Sequence, residues 1–289
     1  MVLERKRVEV DDGDLSVLIA RRPSAPRLIF GHANGFNAGT YRLFLSELAD
    51  QFEIIAPDLR GHGLSQVPVE PVNLRDWQVF GRDLSLACHD SSTRPTLFVG
   101  HSMGSVCGLL AAAWHGLRVD RFAMIEPIFM PSWFYAIPHI PGGAWAYRYN
   151  PMSTAARKRR SLWGSRSEAI AHYKEKPLFE RWQPGVLEDY LDTGVIEHDE
   201  SASLACAPEW EAAIFASHGH NPWSALRELH APVSILKSVR RGSTVYPVWR
   251  LRRHGLDPDL TQAGHLAPME DPIGCADWVR AQAADLLRA

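Results

Sequence analysis

A chain of 289 residues with 46% hydrophobic and 22% charged side chains can bury a large core and reads as an ordinary globular protein. A formal net charge of −2 gives no reason to expect nucleic acid or an anionic membrane surface as a partner. The four cysteines, Cys88, Cys107, Cys206 and Cys275, lie far apart, which excludes a C-x-x-C zinc or redox pair and points to buried or free thiols. The charged start, Met-Val-Leu-Glu-Arg-Lys-Arg, has no apolar run behind it and does not read as a signal peptide. No apolar stretch is long enough to span a bilayer, so a cytoplasmic protein is the default expectation.

In chain order, Val8–Val10 and Leu15–Ala20 read as short strands joined by a turn at Asp12-Gly13. Arg27 to Phe30 is an apolar run that stops at Gly31, and Tyr41 to Leu48 carries apolar residues at helical spacing. Glu53 to Ala56 is a second buried-type run, stopped by Pro57, and Leu74 to Cys88 reads as a helix. Thr96 to Val99 and Phe122 to Ile125 are further strands, with a small-residue helix from Val106 to Trp114 between them. This alternation, with continuously apolar strands, argues for a parallel sheet covered by helices on both faces. The pattern then breaks. Residues 128–224 are rich in aromatics and proline, with helical pieces but no clear buried strand. Strands return at Val233–Leu236 and Leu256–Thr261, and Ile273 to Leu287 closes the chain as an amphipathic helix. The economical division is a core of residues 1–127 and 225–289 with a helical cap, 128–224, inserted between two strands of one sheet.

The stretch that carries chemistry is Gly100-His101-Ser102-Met103-Gly104, a G-x-S-x-G between a strand and a helix. The bend is so tight that side chains at Gly100 and Gly104 would meet neighbouring backbone. It leaves the serine hydroxyl at the tip, over a helix N-terminus that favours negative charge. Three further motifs stand in order around it: Gly31-His32-Ala33-Asn34-Gly35, Asp58-Leu59-Arg60-Gly61-His62-Gly63-Leu64-Ser65, and Gly264-His265. Together these resemble the α/β-hydrolase superfamily in its capped, single-chain form, over nearly the whole length. The resemblance implies an eight-stranded, mostly parallel sheet and hydrolysis by a nucleophile, an acid and a histidine in that chain order.

On this basis Ser102 is the nucleophile and His265 the base that takes its proton, since a serine hydroxyl is weak at neutral pH without one. The acid departs from the common pattern. Most relatives place an Asp after the strand that is here Val233–Leu236. This chain runs instead into Lys237-Ser238-Val239-Arg240-Arg241-Gly242-Ser243, and no Asp or Glu occurs from His230 through Leu256. Glu126, at the end of the strand after the nucleophile helix, is the candidate, in a position similar to the acid of some haloalkane dehalogenases. Asp257 and Asp259 are rivals that face an awkward reach, and the remaining alternatives are that Glu126 is a cap-hinge carboxylate paired with an arginine, or that a Ser–His dyad works without an acid. The oxyanion hole implied by the resemblance uses the backbone amides of Asn34 and Met103, while His32 orders its loop. Ala33 replaces the glycine usual there. Asn34 is similar to a halide-contacting asparagine of the dehalogenases, but those enzymes use an aspartate nucleophile, and Ser102 favours acyl transfer.

Asp58 to Ser65 lacks the lysine and G-K-[ST] of a phosphate loop and reads as the floor of the site. Arg157-Lys158-Arg159-Arg160 reads as a solvated helix face, with attraction of anionic substrates as a weaker idea. Met130, Trp133 and Phe134 are the candidates for lining an apolar pocket. The reading is a serine esterase that needs no cofactor and no metal and acts on a small apolar ester. A C–C bond hydrolase of aromatic degradation and a non-catalytic small-ligand receptor on the same fold are the alternatives. Oligomeric state is not readable from the chain.

Overall fold

The computed structural model of the protein describes residues 2–91, 93–240 and 246–288. Arg241, Gly242 and Ser243, in the acid-free stretch, lie outside the described residues. The core strands before the Ser102 turn are β1 (Glu4–Val10), β2 (Gly13–Ala20), β3 (Arg27–Gly31), β4 (Glu53–Pro57) and β5 (Thr96–His101). The helices among them are α1 (Arg42–Leu48) and α2 (Gln78–Ala87), with α3 (Met103–Trp114) directly after β5. Strand β6 (Arg121–Ile125) follows.

Between β6 and the next core strand run α4 (Ser132–Ala136), α5 (Gly143–Tyr147), α6 (Pro151–Arg157), α7 (Arg166–Lys174), α8 (Val186–Gly194), α9 (Pro208–Ala216) and α10 (Pro222–Glu228). The same segment holds β7 (Leu162–Trp163), β8 (Val195–His198) and β9 (Ser201–Leu204), which form a separate antiparallel sheet in the order β7-β9-β8. An all-helical segment was the expectation here. Strands of two to four residues are too short to imprint a period on the sequence. The core resumes with β10 (Val233–Ser238), α11 (Val248–Arg253), β11 (Asp259–Thr261), α12 (Ala267–Glu270) and α13 (Pro272–Gln282).

The main sheet has eight strands in the order β1-β2-β4-β3-β5-β6-β10-β11. β1, β2 and β4 pair antiparallel, and every other neighbour is parallel. This is the α/β-hydrolase fold. Apolar residues run continuously along the central strands because alternate side chains feed opposite faces. Leu28, Phe30, Leu97, Val99, Ala123 and Ile125 join one core cluster, which contains α1 and α13 residues such as Phe44 and Val279. Ile29, Phe98, Phe122, Met124 and Ile235 join the other, which contains α2 and α3 residues such as Phe80 and Leu110.

Several ends differ from the sequence expectation. α2 begins at Gln78 rather than Leu74, and the amide of Trp77 is bonded to His220 instead of entering a helix. β11 begins only at Asp259, after Pro258, which has no amide to give to a ladder. All four cysteines are buried free thiols.

Candidate active site

The site sits at the carboxyl ends of the parallel strands. β5 ends at His101, paired in register with Ile125 of β6, and the next residue on each strand leaves the ladder. These two residues, Ser102 (φ 54°) and Glu126 (φ 49°), are the only non-glycine residues with positive φ among the described residues. That backbone costs free energy and persists only where surroundings impose it. The imposing bonds are visible: the Ser102 amide donates to Ile125 O at 3.0 Å, and the Glu126 amide donates to Leu236 O at 2.9 Å.

The turn is built on close backbone approach. A Cβ on Gly100 would collide with the Ser105 backbone, and one on Gly104 with the carbonyls of Gly31 and His32. The loop after β3 therefore lies directly against the start of α3. Gly31 is paired with Gly100, so Asn34 and Met103 each stand three residues beyond the same register position. Met103 is the first residue of α3, and its amide has no carbonyl within the helix to bond.

The loop carrying Asn34 is fastened on several sides. Leu59 N–H donates to His32 Nε2 at 2.8 Å, and His32 Nδ1–H donates to Ala33 O at 2.8 Å. His32 is fully buried, and burial pushes its pKa down to about 4, so the neutral ring ties the two loops together as expected. Asn34 Nδ2–H donates to the carbonyl of Glu211 on α9 at 3.1 Å. Glu211 is ion-paired with Arg159, whose guanidinium also donates to the hydroxyls of Tyr173 (2.8 Å) and Tyr190 (3.0 Å). Arg159 is thus not part of a solvated face. Within the basic run, Arg157 and Arg160 keep surface pairs with Glu209 and Glu168.

Glu126 is completely buried. One carboxylate oxygen accepts from the Ser238 amide at 2.6 Å and the other faces His265 Nδ1 at 3.3 Å. Ser238 ends β10, the strand after which the common pattern places an Asp, so its backbone helps hold a carboxylate supplied by the neighbouring strand. An Nδ1–H donated to Glu126 leaves Nε2 of His265 as the bare nitrogen. The two rival acids are turned away: Asp257 pairs with Arg252, and Asp259 accepts from Trp278 Nε1. Ser102 is buried, and its hydroxyl makes no hydrogen bond among the described residues, so the Ser102–His265 bond is not formed in this structure. Such bonds are often long before substrate arrives.

Two supports were not anticipated. His101 Nε2–H donates to the backbone carbonyl of His265 at 2.8 Å, which makes Nδ1 the acceptor of the Tyr41 hydroxyl at 2.7 Å. Tyr41 Oη in turn accepts from the Ala33 amide at 3.1 Å. A buried chain of three bonds therefore joins the Asn34 loop to the His265 loop. Burial holds the His101 ring well below its usual pKa, in its neutral form. Separately, Glu270 accepts from the Gly264 amide at 2.9 Å and pairs with Arg181 at 2.6 Å, beside His265. His101 stood inside the G-x-S-x-G motif and could have been singled out; Tyr41 and Glu270 gave no local signal.

Of the proposed pocket residues, Met130 is half-buried, with its amide bonded to Tyr135 Oη and its carbonyl to Trp223 Nε1. Phe134 packs against Tyr135, Tyr147 and His218. Trp133 is 65% exposed, which places it on the outer surface rather than in an enclosed pocket.

Comparison with known proteins agrees with this architecture. The model of the alpha/beta hydrolase family matches residues 28–278. The chain belongs to that family. Among curated relatives, 2-(acetamidomethylene)succinate hydrolase of Mesorhizobium japonicum is 30% identical over 104 residues, a stretch covering 36% of each chain. Among solved structures, E-2-(acetamidomethylene)succinate hydrolase superposes with a TM-score of 0.78 at 18% identity, covering 98% of this chain and 100% of that one. The thioesterase domain from the curacin biosynthetic pathway gives 0.77 at 12% identity, over 96% and 99%. These structures share the alpha/beta hydrolase fold with this chain. No helix of the described residues is long and apolar enough to cross a membrane.

Proposed function

We propose that this alpha/beta hydrolase is a serine esterase that cleaves small apolar carboxylic esters through an acyl-serine, without a cofactor. The observation that carries the reading is the buried Glu126 carboxylate facing His265 Nδ1 at 3.3 Å, one strand away from Ser102. Ser102 Oγ attacks the ester carbonyl while His265 Nε2 takes its proton. The oxyanion rests on the amides of Asn34 and Met103, each such donor contributing roughly 3 kcal/mol to the transition state. The alcohol leaves with the proton from His265, and water deprotonated by the same nitrogen releases the acid. Glu126 holds the tautomer and stabilises the imidazolium. Residues 128–224 act as the cap of a core made of 1–127 and 225–289. Met130 and Phe134 are its candidate contributors to the acyl pocket, and the cytoplasm is the proposed location.

A C–C bond hydrolase handling a charged dienoate would draw on the arginines of the cap. Arg157, Arg159 and Arg160 are each paired with a carboxylate, which favours an uncharged substrate. The test is a graded series of p-nitrophenyl esters together with fluorophosphonate labelling. The wild type is expected to turn over short esters and to label. Ser102→Ala should do neither while melting at an unchanged temperature. Unimpaired turnover by Ser102→Ala overturns the proposal, and absence of labelling with tight small-ligand binding points to a receptor.

A further inference from the structure

From Pro127 through Ser167 the chain contains no Asp or Glu. Of its six basic residues, Arg157, Arg159, Arg160 and Arg166 are paired with carboxylates from outside the stretch, and Arg148 and Lys158 form no ion pair among the described residues. The same stretch exposes large apolar side chains: Trp133 (65%), Ile140 (58%), Trp145 (64%), Tyr149 (65%) and Met152 (57%). Their direction follows from packing. α4 and α5 meet through Phe134 and Tyr147, whose ring centroids are 4.8 Å apart, and Tyr135 and Tyr147 are buried. Trp145, two positions before Tyr147 on the same helix, is on the opposite side and stacks edge-on with Tyr149 at 4.9 Å.

Beside this face is a groove. Arg75, Arg148 and Arg157 line it with Glu209 as the one carboxylate, between walls that include Pro138 and Ala144. Arg157 is paired with Glu209, while neither Arg75 nor Arg148 forms an ion pair among the described residues. Arg75 is held by the carbonyls of Val72 (2.6 Å) and Leu74 (3.3 Å), and Val72 adds a further exposed apolar side chain at 62%.

We propose that this outer face, the α4–α6 stretch and its arginine groove, seats the protein on an anionic lipid surface. Exposed apolar side chains rimmed by polar groups mark contact surfaces. Tryptophan and tyrosine rings settle at headgroup depth, apolar body inward and polar tip in water. Guanidinium groups match phosphate oxygens with paired donors. A second copy of the chain fits less well, because a two-fold contact through this face sets arginine against arginine. The attachment is peripheral, since no described helix can span the bilayer. It is independent of the esterase reading, because none of these residues belongs to the proposed catalytic set.

The test is co-sedimentation of the full chain with phosphatidylglycerol-containing vesicles and with pure phosphatidylcholine vesicles, at low and high salt, with tryptophan emission recorded in parallel. Binding to the anionic vesicles is expected at low salt, with a blue shift, and at least about tenfold weaker to phosphatidylcholine. The pair Trp145→Ala with Tyr149→Ala, and the pair Arg75→Glu with Arg148→Glu, should each lower binding by about tenfold or more. Both variants should keep the wild-type melting temperature and any turnover of soluble esters. No binding to anionic vesicles, or binding untouched by both variants, overturns the proposal. So does a dimer in solution that the aromatic variant dissolves while the vesicles capture nothing.

Discussion

Glu126 illustrates how little a residue's type says until its partners are known. Its carboxylate receives the Ser238 amide on one oxygen and faces the His265 ring on the other. Glutamine in its place can accept on one atom only, and its NH2 group would confront a second donor. Glu126→Gln should therefore force the wrong imidazole tautomer and lower kcat by about 10³–10⁴-fold. Asp257→Asn and Asp259→Asn should leave kcat within about twofold, because surface pairs of this kind are weakly coupled to their surroundings. Ester kinetics on the three purified variants, with melting curves as a folding control, checks this. Near-normal turnover by Glu126→Gln would remove it from the mechanism. The departure itself was legible, since an acid-free stretch from His230 to Leu256 is a fact of sequence. Which remote carboxylate faces the His265 ring was a question of which strands lie side by side.

At the scale of elements, the strand–turn–helix around Ser102 was the most legible piece. Its glycines sit where backbone passes backbone, and a glycine at such a place leaves a local mark. The linkage of Tyr41, His101 and the carbonyl of His265 left none, although His101 stands in the motif, because its members come from three separate segments. Tyr41→Phe removes the hydroxyl that serves both the Ala33 amide and the His101 ring. Two buried polar groups then lose their partner, at a cost of about 1–3 kcal/mol each before relaxation or water entry. The expected result is a lower melting temperature together with a fall of about tenfold in kcat and little change in KM, since in the proposed mechanism the affected loops carry the transition-state contacts. A melting shift with unchanged kcat would reduce the chain of bonds to a purely structural feature. The short strands β7 to β9 were missed for a related reason: their pairing is decided by neighbours, not by their own period.

Over the whole molecule, the buried histidines set the response to acid. Burial is the leading cause of depression in each: His32 and His218 to about 4, His62 to about 3, and His101 and His220 well below the usual value. The folded protein refuses protons that the unfolded chain binds near pH 6.5. These groups therefore contribute full stability above that pH and lose it progressively as pH falls toward their folded values. Urea unfolding between pH 7 and 5 should show stability declining with uptake of at least about 2 protons on unfolding. A flat profile in that window would mean that the rings are not held neutral. Whole-molecule averages also conceal: a net charge of −2 argued against an anionic surface, yet residues 127–167 carry basic groups and no acidic ones.

The sequence by itself determined the layered α/β architecture, the tight turn at Ser102 and the candidate base. Each depends on local order, in the form of apolar runs, glycines at close approaches, and a histidine in a short motif. Only the tertiary structure decided that Glu126 faces His265, that Arg159 is half-buried against Glu211, that Trp133 faces outward, and that Tyr41 and His101 join two loops. Those facts depend on which distant segments the sheet order makes neighbours, and adjacency of that kind leaves no period or spacing along the chain.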